Sequence, residues 1–212
     1  MKLAVLALLL LAAPAAAQRV GIGVQGAFGD YREVSPGLHY RGTGGGGMAF
    51  FTVGKLSADV AVVRLDFDTV AGSGATESFK ATQFDARVRW FLVSGVSVEV
   101  GVMSRKVDPD FAAQAMGALR LGLRAVYALG PEAALSFRGN YLGAARFSGG
   151  GSAPLGLELA LGLSAGMRNG RLRLIADYEF QRVDRKTNPG GAGEVKVPIE
   201  QSLARIGVAV GF

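Results

Sequence analysis

The sequence predicts an all-β fold, a closed antiparallel up-and-down transmembrane β-barrel of ten strands, with eight as the competing count. Three observations predict it. Apolar residues recur at every second position over long segments, which is the side-chain period of a strand. The breaks between these segments alternate between tight turns and loose loops rich in Gly, Ser, Asp and Pro. Hydrophobic residues make up 50% of the 212, yet past the leader no run reaches the eighteen or so apolar residues of a membrane helix.

Residues 1–17 read as a cleavable signal peptide. Lys2 supplies the positive start, Leu3 to Ala13 the apolar stretch, Pro14 a helix breaker and Ala15-Ala16-Ala17 a small-residue cleavage site. The barrel domain is then 18–212. Its strands are expected near 19–28, 44–53, 57–67, 79–92, 96–105, 116–129, 133–143, 155–167, 171–182 and 198–212. Phe84, Ala86, Val88, Trp90 and Leu92 share one face of the fourth, against Asp85, Arg87 and Arg89. Val96 to Val102, Leu119 to Leu129, Leu155 to Leu163 and Leu172 to Phe180 repeat that two-faced pattern. Tight turns are expected at Gly54-Lys55, Ser94-Gly95, Gly130-Pro131 and Asn169-Gly170. Loose loops are expected over 29–43, 68–78, 106–115, 144–154 and 183–197. Merging the weak second strand into a loop would break the even parity, which is why eight competes with ten.

Alternation alone does not separate a membrane barrel from a soluble lipocalin-like one, because the two put opposite faces outward. Strand length and charge favour lipid: a spanning sheet must close on itself with strands of about 9–11 residues. The polar face carries Arg64, Asp66, Asp85, Arg87, Arg89, Glu99, Arg120, Arg124, Arg138, Glu158, Arg173, Asp177, Glu179 and Arg205, assigned here to the lumen. Their eight arginines against six acids would favour anions if water ran through. Side chains largely fill the interiors of few-stranded barrels, so a salt-bridge plug is the stronger expectation; Arg89 and Glu99, flanking Ser94-Gly95, should meet in it. Trp90 and Tyr127 near tight turns, with Phe28, Phe67, Phe79, Tyr178 and Phe180 near loose loops, are expected to form two interfacial girdles.

With leader, strands and turn lengths in place, the chain resembles the small outer-membrane β-barrel proteins of Gram-negative-type bacteria, the broad group of the OmpA transmembrane domain and OmpX. Arg205, Gly207, Val210 and Phe212 match that group's C-terminal pattern of polar, Gly, hydrophobic and aromatic positions. The resemblance implies an outer-membrane location, a monomer, and recognition of this ending by the barrel-assembly machinery. Outer-membrane lipid and lipopolysaccharide are the expected partners; Arg32, Arg41, Lys106, Arg146, Arg185 and Lys186 in the expected loops are the candidates to touch anionic lipopolysaccharide, with a solvated surface as the simpler reading.

Chemistry is sparse. Absence of Cys removes disulfides, thiol nucleophiles and thiolate metal sites, and a lone His39 removes any two-imidazole zinc site. A formal charge of +6, from 23 basic and 17 acidic residues, excludes wholesale disorder alongside this apolar content. No basic run exceeds two residues, so nucleic acid is not an expected partner. His39 with Ser35 and one of Asp30, Glu33 or Asp68 is the best hydrolase arrangement available, yet an ordinary loop histidine is the simpler reading. Asp108 and Asp110 flank Pro109, which suits a turn better than a divalent ion. Gly44–Gly47 and Gly149–Gly151 lack the Lys-Ser/Thr and strand-to-helix context of phosphate loops. The expectation is therefore no enzyme, cofactor or metal. A structural role or a narrow, weakly anion-favouring pore leads; a surface-loop binding protein, an outer-membrane hydrolase and a soluble carrier are the alternatives.

Overall fold

The computed structural model describes residues 18–109, 114–166, 171–188 and 194–212. Eleven strands run in chain order: β1 (Gln18–Glu33), β2 (Leu38–Val53), β3 (Leu56–Thr69), β4 (Phe79–Val93), β5 (Val96–Asp108), β6 (Met116–Ala128), β7 (Ala133–Phe147), β8 (Ser152–Ala153), β9 (Gly156–Gly166), β10 (Leu172–Thr187) and β11 (Val195–Gly211). Every pairing is antiparallel, and β11 returns to β1 from Gly21↔Gly211 to Glu33↔Ile199, which closes the sheet. The two-residue β8 lies between β7 and β10 as β9 does, so it is the interrupted start of the same stave. Ten staves close the barrel among the described residues, as the turn parity predicts.

Tight turns fall where expected at Gly54-Lys55 and Ser94-Gly95, with Val53 pairing Leu56 and Val93 pairing Val96. Gly95 needs to be glycine: its φ is +79°, in the left-handed region, and a Cβ there would press on the Val126 carbonyl oxygen. Gly44 and Gly46 are required for close approach, since their Cβ atoms would overlap the carbonyl oxygens of Arg64 and Val62 on β3. The leader, the Asn169-Gly170 turn and Asp110 lie outside the described residues.

The largest departure from the sequence reading is strand length. The expected loose loop over 29–43 is mostly sheet: β1 and β2 continue until only Val34 to Gly37 turn the chain. Strands β5, β7, β10 and β11 likewise run on into expected loops. His39, taken for a loop residue, therefore sits on β2 opposite Arg32. The strands outrun a bilayer because their far ends form a second, water-facing storey of the barrel.

Polarity reverses between the storeys. Next to the short turns the outside is apolar, with Val60, Val62, Val100, Leu119, Leu121, Leu123, Leu157, Leu159 and Leu161 exposed, while Asp85, Arg87, Glu99, Arg120, Glu158 and Glu179 are buried inside. Toward the long loops the interior turns apolar. Tyr31, Tyr40, Val63, Leu65, Phe67, Phe79, Met103, Met116, Phe147, Ile199 and Leu203 form one buried cluster there. Phe67 and Phe79 stack at 4.8 Å between ring centroids, and Tyr40 and Tyr31 meet the Phe79 ring edge-on at 5.0 and 6.0 Å. These two phenylalanines are core residues and not members of an interfacial girdle; Phe28, Trp90, Tyr127 and Tyr178 do face outward.

Candidate functional site: a charge-filled lumen

Alternation aims polar side chains of β4, β5, β6, β7, β9, β10 and β11 at the axis, and mid-barrel these converge. Glu179 on β10 is the hub. Its carboxylate accepts from Arg87 Nη2 at 3.0 Å, Arg138 Nη2 at 2.8 Å, Arg205 Nη2 at 2.9 Å and Arg120 Nη2 at 3.4 Å. Arg120, 1% exposed, also donates from Nε to Glu158 Oε2 at 2.6 Å and from Nη1 to Asp85. Neutral amides complete the shell: Asn140 Nδ2 bridges Glu99 Oε1 at 2.8 Å and Glu158 Oε1 at 2.9 Å, and Gln181 Nε2 donates to Glu179 Oε1 at 2.7 Å. Carboxylates of β4, β5, β9 and β10 are thus tied to guanidinium groups of β4, β6, β7 and β11. Charges taken out of water persist only when so paired.

The structure turns most of the residues assigned to the lumen inward. Asp85, Arg87, Arg89, Glu99, Arg120, Glu158, Glu179 and Arg205 are inward and buried, while Arg124, Arg138 and Asp177 are inward and partly exposed toward the short-turn mouth. Arg89 and Glu99 are register partners, their charged atoms 4.0 Å apart, and Arg89 also pairs with Asp59. Arg173 shares the inward parity of Asp177 and Glu179 but lies exposed near the short-turn end of β10.

Two assignments are wrong. Arg64 and Asp66 are exposed on the outside of β3, whose inward positions are Ser57, Asp59, Val63, Leu65 and Phe67. They lie above the apolar band, where the outer surface meets water, so their polarity says nothing about the lumen. Asp59 is the lumenal acid that was missed; it sits opposite Arg87 in register, 3.7 Å from Nη1. The signal for it was the exposed pair Val60 and Val62, which sets the strand's parity. With these corrections Arg87, Arg89, Arg120, Arg124, Arg138 and Arg205 stand against Asp59, Asp85, Glu99, Glu158, Asp177 and Glu179, and the anion-favouring excess disappears from mid-lumen.

The remaining candidates resolve simply. Arg185, expected on an exposed loop, is buried on β10, donating to the Gly150 carbonyl at 2.7 Å and lying over the Phe147 ring at 5.2 Å. His39 Nε2 donates to Asp30 Oδ2 at 2.9 Å on the outer wall, beside Arg32 and Arg41. Among the described residues no hydrogen bond joins its ring to a serine, and no group of three acidic or histidine side chains is placed to hold a metal. Partial burial pushes the Asp30 carboxyl up, but the hydrogen bonds and positive charges of His39 and Arg32 outweigh it and hold the group below its usual range. Around this cluster an external groove of about 640 Å³ joins Phe28, Tyr178 and Phe180 below to Arg32, Arg41 and Glu200 above.

An apolar belt outside and paired charges inside are the reverse of a soluble barrel and match a sheet closed within lipid. The chain is a transmembrane β-barrel. No protein-family model matches it, and no curated protein does. Solved structures are similar to it. Neisserial surface protein A is 16% identical, with 91% of this chain and 97% of that chain covered at a TM-score of 0.46. The outer membrane protease OmpT from Escherichia coli is 10% identical, covering 92% and 96% at 0.47. The translocator domain of autotransporter NalP from Neisseria meningitidis is 13% identical, covering 99% and 94% at 0.41. All three are similar to the chain in architecture.

Proposed function

We propose that the chain works as a non-conducting outer-membrane barrel, with its interior a structural plug and its working surface the long-loop end. The observation that carries this reading is the Glu179-centred network, sealed by the apolar cluster of Tyr31, Tyr40, Phe67 and Phe79 above it. Ions would have to break paired, buried charges and then cross a packed apolar layer. Single-channel recording of the refolded chain in a planar bilayer tests it. Silence from an inserted, folded barrel is the expected result; discrete ion-selective steps would restore the passive pore.

Two contacts follow from the same reading. Contact with lipopolysaccharide is supported by the outer groove, where Arg32 and Arg41 lie beside Phe28, Tyr178 and Phe180 and could pair with its phosphate groups, so a double substitution of these arginines to serine should lower the lipopolysaccharide retained on purification. At the seam, Arg205 and Gly207 point inward while Val210 and the 77% exposed Phe212 point outward, which leaves the apolar half of the ending open to assembly machinery.

A further inference from the structure

Beyond the sealed centre, the lumen carries donors that the protein leaves unused. Ser97 on β5, Arg124 on β6 and Arg138 on β7 form one cross-strand row on the inward face, through the registers Ser97↔Arg124 and Arg124↔Arg138. Side chains directly opposite in an antiparallel pair stand about 5 Å apart at Cβ, so the three side chains leave the wall side by side. Arg138 is committed to Glu158 at 3.1 Å and Glu179 at 2.8 Å. Arg124 has no ion pair among the described residues, and its Nε has no hydrogen-bond partner. The Ser97 hydroxyl, on a residue 1% exposed, has none either.

Nearby carboxylates face other guanidinium groups: Glu99, two residues from Ser97, lies 3.5 Å from Arg87 and 3.7 Å from Arg138. Asp59 is held by Arg89 and by Arg87 at 3.7 Å, and Asp177 by Arg205, with Arg138 at 3.9 Å. Two like-charged guanidinium groups side by side, one with its donors unfilled, call for a negative group between them. Toward the short-turn mouth the next inward residue of β7 is Ser136, a small side chain, whereas Asn140 fills the space over Gly122 on the sealed side. The row also has access: Arg124 is only partly buried, on the short-turn side of the sealed Arg120. A guanidinium edge beside a hydroxyl suits an oxyanion, which accepts several directed hydrogen bonds, better than a spherical halide.

We propose that the short-turn mouth of the barrel holds a small inorganic oxyanion, such as phosphate, between Arg124 and Ser97 with the outer edge of Arg138 beside it. Titration calorimetry with sodium phosphate on the refolded chain in detergent, at fixed pH and ionic strength, tests the site. Saturable binding with a melting temperature that rises with phosphate is expected. Sulfate should compete, and chloride at equal ionic strength should not. Arg124→Met should weaken binding by about tenfold or more, the scale of a lost charge-assisted hydrogen bond, and Ser97→Ala by less. Arg173→Ser, at the exposed rim, should leave it unchanged. Absence of saturable heat, an unaltered affinity in Arg124→Met, or an equal response to chloride overturns the proposal. If Arg124→Met does not fold, unchanged affinity in Ser97→Ala overturns it; loss of binding in Arg173→Ser moves the anion to the rim and overturns the placement.

Discussion

The two storeys of this barrel are built by the same strands with the same alternation, yet with opposite polarity. On β3 the outward side chains read Val60, Val62, Arg64, Asp66 and Asp68, while the inward ones read Ser57, Asp59, Ala61, Val63, Leu65 and Phe67. Nothing in the backbone changes between Val62 and Val63. What changes is the solvent outside: hydrocarbon below, water above. In hydrocarbon the exterior must be apolar and charges must hide in the lumen, paired. In water the ordinary rule returns, and burying Leu65, Phe67 and Phe79 stabilises the upper storey as any soluble core would.

Removal of the hub's most buried cation should break the lower storey most severely. Arg120→Met leaves Asp85, Glu158 and Glu179 short of a partner, and a loss of about 3–5 kcal/mol is expected from denaturant unfolding in vesicles. The corresponding cut in the upper storey is Phe67→Ala, expected to cost about 3–5 kcal/mol by cavity formation, in vesicles and in detergent alike because lipid does not touch it. A matched pair on the outer face of β3 sharpens the boundary. Val62→Arg puts a charge against acyl chains and should cost about 2–4 kcal/mol, whereas Arg64→Val, two residues along the same face, should stay within about 0.5 kcal/mol. Equal effects from the two would erase the boundary.

The smallest effect concerns acid. Asp30 titrates below its ordinary value in the folded barrel, so the stability its cluster contributes is present above the unfolded pKa of about 3.8 and is lost as pH falls through the folded value. Asp30→Asn should flatten that acid limb in a pH series of melting curves and leave stability at neutral pH little changed.

Much of this was legible from residue order. Asp85, Arg87 and Arg89 against Val88 and Trp90 give the parity of β4 outright, since polar and apolar residues there differ at every step. Strand β3 was misread because charge was equated with lumen, an equation valid only inside the bilayer. The change of storey does leave a mark: two apolar residues in succession, one facing each way. Ala27-Phe28, Val62-Val63, Ala118-Leu119, Tyr141-Leu142 and Leu203-Ala204 each put one side chain in the core and its neighbour outside. Read in those terms, Arg64 and Asp66 belong to the outer wall, and the expected loop over 29–43 becomes sheet.

By itself the sequence pointed to a closed antiparallel barrel, with ten staves favoured over eight, and to which face of most strands carries the charges, because period-two alternation and turn lengths are local properties of the chain. Only the tertiary structure decided which carboxylate meets which guanidinium, that the acids and bases of mid-lumen balance, and that Arg124 and Ser97 are left with unfilled donors. Those outcomes depend on the register between strands far apart in sequence. They also depend on which residues the closed sheet brings to the same height in the lumen.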